Sequence, residues 1–326
     1  MAQKLDLLLE ETPELRSPVL LAAFAGWGDG AVAGSGALQY LVGKYEARRV
    51  GSYEPDEIYE YTSTRPVSML KEDGTRELIW PSLSLYACRL PDGERDILIL
   101  IGPEPNLHWR ALAASIVDVA QRFHVSDVVV LGSYWDRISH LGRALLSARA
   151  ADAAMRERLE ALGLPESRYQ GPTGFTSALL DACAQAGLSA AALSGRAPHY
   201  VQGITHPKLA HGLLQAVAKL LNVRIDSKEL ESAGREQERL LTERVQEEPK
   251  LWRYIQQLAA ETGQTSALDD FASGAWQTLT MPPGEATGPS GPISAPNRVP
   301  PGKADLPSGA DLVDAVEEFL RGSGRN

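Results

Sequence analysis

Four short apolar runs without apolar/polar alternation set the tightest limit on the fold. They lie at Val19–Ala25, Asp96–Ile101, Asp127–Gly132 and Leu188–Ser194. A strand buried on one face alternates, whereas one covered on both faces reads as a continuous apolar run. Helical patterns separate these runs. One spans about 30–45, with Asp29 placed to cap it and small residues (AVAGSGA) at its start. Another runs from a cap at Asn106 to about Phe123, with Leu112, Ile116, Val119 and Phe123 forming its apolar stripe. A polar, Ala-rich stretch reads as helix over about 147–162, and Phe175–Ala186 as a further helix. Thr205 caps the last, which runs to Asn222 and carries Pro207 in its first turn. Arg48–Tyr53, Ile58–Thr62, Glu77–Trp80 and Leu83–Leu90 read as additional strands. Strands alternating with helices give an α/β fold, with a mainly parallel or mixed sheet between two helical layers.

The pattern changes after Asp226, and the chain divides into four segments. Residues 1–225 form the α/β core. Residues 226–262 form a helical appendage, read as a hairpin of a Glu/Arg-rich helix at 227–247 and a second helix at 250–262. Residues 263–307 read as a flexible linker, and the 282–302 portion holds seven prolines and four glycines. Residues 308–322 read as an amphipathic helix whose apolar face includes Leu312, Val316, Phe319 and Leu320. So short a tethered helix needs a surface to dock on, either its own core or oligomer, or a separate protein partner.

Composition narrows the function. The 326 residues carry 42 acidic against 32 basic side chains, a formal charge of −10, and no Lys/Arg-rich block. Nucleic acid is therefore excluded as the expected partner. No run approaches the ~20 apolar residues of a membrane helix, and the N-terminus is too weakly apolar for a signal peptide. A cytoplasmic protein with no membrane contact is expected. The two cysteines, Cys88 and Cys183, lie in apolar surroundings and read as buried free thiols.

Several chemistry-bearing residues follow predicted strands. Gly26-Trp27-Gly28-Asp29-Gly30 joins a strand to a helix. Gly28, Gly30 and Ala33 satisfy a GxGxxA spacing with Glu54 beyond, so a dinucleotide turn and a purely structural turn with Trp27 packed over it both stay open. Gly171-Pro172-Thr173-Gly174 precedes a helix whose free N–H groups favour an anion. Arg65 offers a bidentate partner for a carboxylate or phosphate, or a subunit ion pair. His199 offers a general base, or packs on Tyr200. Gly28, Glu104, Gly132, Gly171 and His199 all follow strands, and in an open α/β sheet that edge is where ligands bind. No metal is expected, because His206 and His211 lie five residues apart and diverge around a helix, and no HExxH or Cys/His set exists. No cofactor is expected either.

Together, Gly26-Trp27-x-Asp29, Arg65-Pro66, Gly102-x-Glu104-Pro105 with Trp109, Tyr169-x-Gly171-Pro172-Thr173-Gly174 and Pro198-His199-Tyr200 with Pro207 resemble the PAC2 family, the proteasome-assembly-chaperone-2-like proteins. The resemblance covers about residues 18–260. It implies a three-layer α/β/α sandwich similar to nucleoside phosphorylases and a homo-oligomer, often a trimer. Relatives carry a PHTRP-like stretch where this chain reads Ser133 to Arg143; His140 and Arg143 persist there, but the prolines and threonine do not. The resemblance implies a protein-interaction or assembly factor. The alternative is an enzyme or ligand-binding protein whose strand-edge site for a small anionic metabolite draws on Gly28, Asp29, Arg65, Glu104, His140, Arg143, Gly171, Thr173, Gly174 and His199.

Overall fold

The computed structural model describes residues 5–91 and 93–263. In chain order the elements are β1 (Leu8–Leu9), β2 (Val19–Ala25), α1 (Ala33–Lys44), β3 (Arg48–Ser52), α2 (Pro55–Ile58), β4 (Val67–Leu70), β5 (Arg76–Ile79), β6 (Ser84–Cys88) and β7 (Ile97–Pro103). There follow α3 (Trp109–Arg122), β8 (Asp127–Asp136), β9 (Leu146–Ala150), α4 (Ala153–Ala161), α5 (Phe175–Gln185), β10 (Ser189–Pro198), α6 (Pro207–Leu221), α7 (Lys228–Gln246) and α8 (Pro249–Glu261).

Eight strands form one mixed sheet in the order β1-β3-β6-β7-β2-β8-β10-β9. The four unbroken apolar runs are its parallel centre, β7-β2-β8-β10. The flanking pairs are antiparallel. Successive side chains of β2 feed opposite faces. Val19, Leu21 and Ala23 join a core with Leu38 and Leu41 of α1 and Leu213 and Val217 of α6. Leu20, Ala22 and Phe24 join a second core with Leu112 and Ile116 of α3 and Leu179 and Leu180 of α5. Both faces are covered, so the fold has three layers, α/β/α. Cys88 and Cys183 are free and buried, one on each side of the sheet.

Four local expectations are corrected. Ile58–Thr62 is not a strand. Ile58 ends α2, and its carbonyl accepts from the Asn106 and Leu107 N–H groups at 2.9 and 3.1 Å. Asn106 does not cap α3; its side-chain oxygen accepts from Glu60 N and Thr64 Oγ1, at 3.1 and 2.9 Å, and the helix starts at Trp109. The expected helix at 147–162 divides into β9 and α4. Antiparallel pairing of 146–150 with β10 overrides the helical bias of alanine, and Asp152 caps α4 by accepting from Met155 N at 2.8 Å. His206, rather than Thr205, precedes α6.

Two features lie off the sheet. β4 and β5 pair only with each other, as a two-stranded arm. The segments α7 and α8 form the helical pair that the composition change marks; α7 packs along α6, and Val245, Ile255 and Ala259 close on Leu141, with Tyr200 and Trp252 beside them. The expected 263–307 linker, apart from Gly263, and the 308–322 helix lie outside the described residues.

Candidate functional site

The strand ends converge as the sequence implies, but most of the polar groups there satisfy one another. Glu104 follows β7. Its Oε1 accepts from Phe175 N at 2.7 Å and its Oε2 from Trp27 N at 3.2 Å. The carboxylate thus joins the turn after β2 to the first residue of α5. It is also the anion that the α5 N-terminus favours. Gly174 precedes α5 and supplies no side-chain cap. A Cβ at Gly174 would stand 2.4 Å from Glu104 Oε1, and one at Gly26 would stand 2.9 Å from Glu104 Cβ. These glycines make room for the carboxylate. Burial raises the Glu104 pKa, and the two N–H groups oppose that rise.

Asp29 is fully enclosed. Its Oδ1 accepts from Gly34 N at 3.0 Å and from Ser133 Oγ; its Oδ2 accepts from Ser35 N and Ser35 Oγ, both at 2.7 Å. Four donors from α1 and β8 surround one carboxylate, so Asp29 caps α1 as the sequence implies. Burial still raises its pKa. Gly28 takes part through its carbonyl, which accepts from Ser133 N at 3.2 Å. Trp27 does not pack down over the turn. It is 56% exposed, with its ring 6.5 Å from that of Tyr169.

The remaining residues of the expected site separate. Thr173 Oγ1 pairs with Ser177 Oγ, which also accepts from Arg149 Nη2 at 2.8 Å. Gly171 sits on an exposed turn, where Tyr169 donates to Pro172 O at 2.9 Å. Arg65 is exposed at the base of the β4–β5 arm. His140 and His199 instead meet each other through Tyr200, at the junction with α7 and α8. The Tyr200 hydroxyl lies 2.8 Å from both His140 N and His140 Nδ1, and His140 Nε2 lies 3.1 Å from Thr242 Oγ1 of α7. His199 donates from Nδ1 to Asp136 O at 3.1 Å, and its Nε2 faces Tyr254 of α8 at 3.4 Å. Burial, aided by repulsion from Lys208, pushes the His140 pKa down to about 3. A neutral, fully bonded imidazole holds two elements together; it is a poor proton acceptor.

Sequence reasoning missed Ser133, Lys208 and Asp136. Lys208 Nζ reaches His140 O at 2.6 Å and Glu238 Oε2 at 2.5 Å, tying α6 to α7. Asp136 pairs with Arg196 at 2.7 Å. These residues carry no motif. Only the tertiary fold reveals them.

Comparison with known proteins adds the family context. The model of the PAC2 family matches residues 23–245. A PAC2 family protein from Streptomyces avermitilis is similar at 30% identity and TM-score 0.64, covering 69% of this chain and 94% of its own. A Mycobacterium tuberculosis proteasome-assembly chaperone homologue is similar at 32% identity and TM-score 0.67, covering 73% and 99%. A protein of unknown function from Corynebacterium glutamicum shares the fold at 21% identity and TM-score 0.73, covering 84% and 100%. No curated protein matches.

Proposed function

The chain belongs to the PAC2 family, and on that premise we propose that it is a homo-oligomeric protein-interaction factor of the assembly-chaperone kind. The β4–β5 arm carries the reading. Its two strands pair with nothing else, and Met69, Leu70, Leu78 and Trp80 are 46%, 63%, 55% and 48% exposed. An isolated two-stranded ribbon is marginal in water, and clustered exposed apolar side chains mark a contact surface. A second copy of the chain covers the arm, with a trimer as the expected state. The similarity to a proteasome-assembly chaperone homologue supports subunits of a multi-subunit assembly as clients.

The alternative, turnover or capture of a small anionic metabolite at the strand ends, loses its main argument. The helix terminus that would hold the anion is capped by Glu104. The cytoplasm remains the expected location; among the described residues no helix is long and apolar enough to cross a membrane.

The test is the mass of the full chain by sedimentation, beside a Leu70→Asp/Leu78→Asp double variant. An oligomer that the double variant converts to folded monomer is expected. A monomeric wild type, or an oligomer indifferent to the variant, refutes the proposal.

A further inference from the structure

A half-open cavity of about 40 Å³ lies where α7 meets the core. One wall is the loop from Ile138 to Leu145, with the end of β10 and the start of α6; the other is α7 from Gly234 to Leu241. A single water needs roughly 10–15 Å³ on this measure, so the cavity takes a group of a few non-hydrogen atoms, not a ring.

The wall chemistry selects the kind of group. Arg143, Arg196 and Lys208 line the cavity against one carboxylate, Glu238. Glu238 is held by Lys208 at 2.5 Å, and Arg196 is paired with Asp136 at 2.7 Å. Ser139 and Gln237 also line the cavity, bonded to Leu141 N and Thr205 O; His206, 6% exposed, has its ring partnered by the Val201 carbonyl. Its other ring nitrogen, Nε2, is buried without a hydrogen-bond partner in the protein. A buried polar atom left so is costly, and His206 lines a cavity whose charged residues are three cations and one anion. Neighbouring His140 does not compete for an occupant, because Tyr200 and Thr242 engage both its ring nitrogens.

We infer that this cavity binds a compact oxyanion, a carboxylate or a tetrahedral oxyanion group, through Arg143 and the Nε2–H of a protonated His206. With Nδ1–H donating to Val201, protonation turns Nε2 from an orphan acceptor into a donor, and the anion supplies its partner. Burial pushes the His206 pKa down to about 4 in the protein alone. The anion raises it, so binding takes up a proton and tightens as pH falls. His140, its pKa pushed down by burial, stays neutral, and His206 is the wall group whose protonation the anion changes. Because α7 forms half the wall, occupancy fixes the appendage on the core.

The test titrates sulfate, and separately acetate, into the full chain against chloride at constant ionic strength. The readout is the imidazole ¹⁵N signal of His206, assigned with His206→Gln. Sulfate stands for tetrahedral oxyanions and acetate for carboxylates; both hold a constant charge between pH 6 and 8. The expected result is a saturable shift toward imidazolium in the millimolar range for at least one of them. It should be tighter at pH 6 than at pH 8 and weakened about tenfold or more by Arg143→Gln. If Arg143→Gln fails to fold, Glu238→Gln replaces it and must tighten binding. No saturable shift with either anion means that water alone occupies the cavity and overturns the inference. So does an affinity that the charge variants leave unchanged.

Discussion

Replacing Glu104 with alanine separates a carboxylate that holds the fold together from one kept for a ligand. The side chain accepts from two backbone N–H groups. They are not equal. Phe175 is fully buried, so its N–H loses its only acceptor without a water to take over, a cost of roughly 1–3 kcal/mol. Trp27 is exposed and its N–H turns to solvent at little cost. Loss of a negative charge at the start of α5 adds about 0.3–1 kcal/mol. Relief of the desolvation that raises the Glu104 pKa works in the opposite direction. The sum for Glu104→Ala is about 2 kcal/mol of lost stability at neutral pH. Glu104→Gln keeps one carbonyl oxygen for Phe175 N–H and gives up only the exposed contact, so it costs about 1 kcal/mol or less. Gly174→Ala attacks the same contact from the other side, because its Cβ would stand 2.4 Å from Glu104 Oε1. Urea unfolding at constant m gives all three values. Glu104→Ala and Gly174→Ala should be strongly non-additive, since either alone breaks the same bridge. Additive losses, or a Glu104→Ala protein within about 0.5 kcal/mol of wild type, would refute the bridge and restore Glu104 as a group held for something else.

Other perturbations reach different parts of the molecule. Asp29→Asn turns an amide N–H toward donors from Gly34, Ser35 and Ser133 and should cost about 2–4 kcal/mol in the same assay; a loss below about 1 kcal/mol would show that the network rearranges freely. Val32, a β-branched residue at φ 56°, sits in the left-handed region just before α1, so Val32→Gly should raise the urea midpoint, and a lowered midpoint would show that its side-chain contacts outweigh the strain. His140 and His206 have folded pKa values pushed down to about 3 and about 4. Below about pH 6.5 the unfolded chain therefore binds more protons, and stability falls with pH by up to ~1.4 kcal/mol per unit for each histidine, most directly seen in low-anion buffer. Flat stability from pH 7 to 5 would contradict both assignments.

The sheet was legible because its centre is redundant. Each of the four parallel strands is covered on both faces over its middle, so that stretch has to be apolar without alternation. The elements that were misread depend on partners far away in sequence. Residues 146–150 become a strand because β10 offers an open edge. Ile58–Thr62 fails as a strand because the Ile58 carbonyl is engaged by the Asn106 and Leu107 N–H groups and Tyr59 N by Pro55 O. The arm was half seen: Glu77–Trp80 reads as extended, but nothing local reveals that its partner is Val67–Leu70.

The site was harder to read for a different reason. Glycine turns, a helix N-terminus and a carboxylate at one sheet edge look the same in sequence whether they await a ligand or satisfy each other. At the α5 terminus a side chain 71 residues away, Glu104, already accepts from the Phe175 N–H. His140 and His199 illustrate the same point from the opposite end of the argument. His199 follows a strand and His140 belongs to the stretch that the family resemblance marks, yet their ring nitrogens face Thr242 and Tyr254 of the appendage. Two histidines spent on docking α7 and α8 imply that the junction matters to this fold as much as the sheet edge does. That junction also holds the one buried imidazole nitrogen without a protein partner among the described residues. A polar group that local structure does not satisfy is a better guide to an unfilled role than a motif whose groups are already bonded to one another.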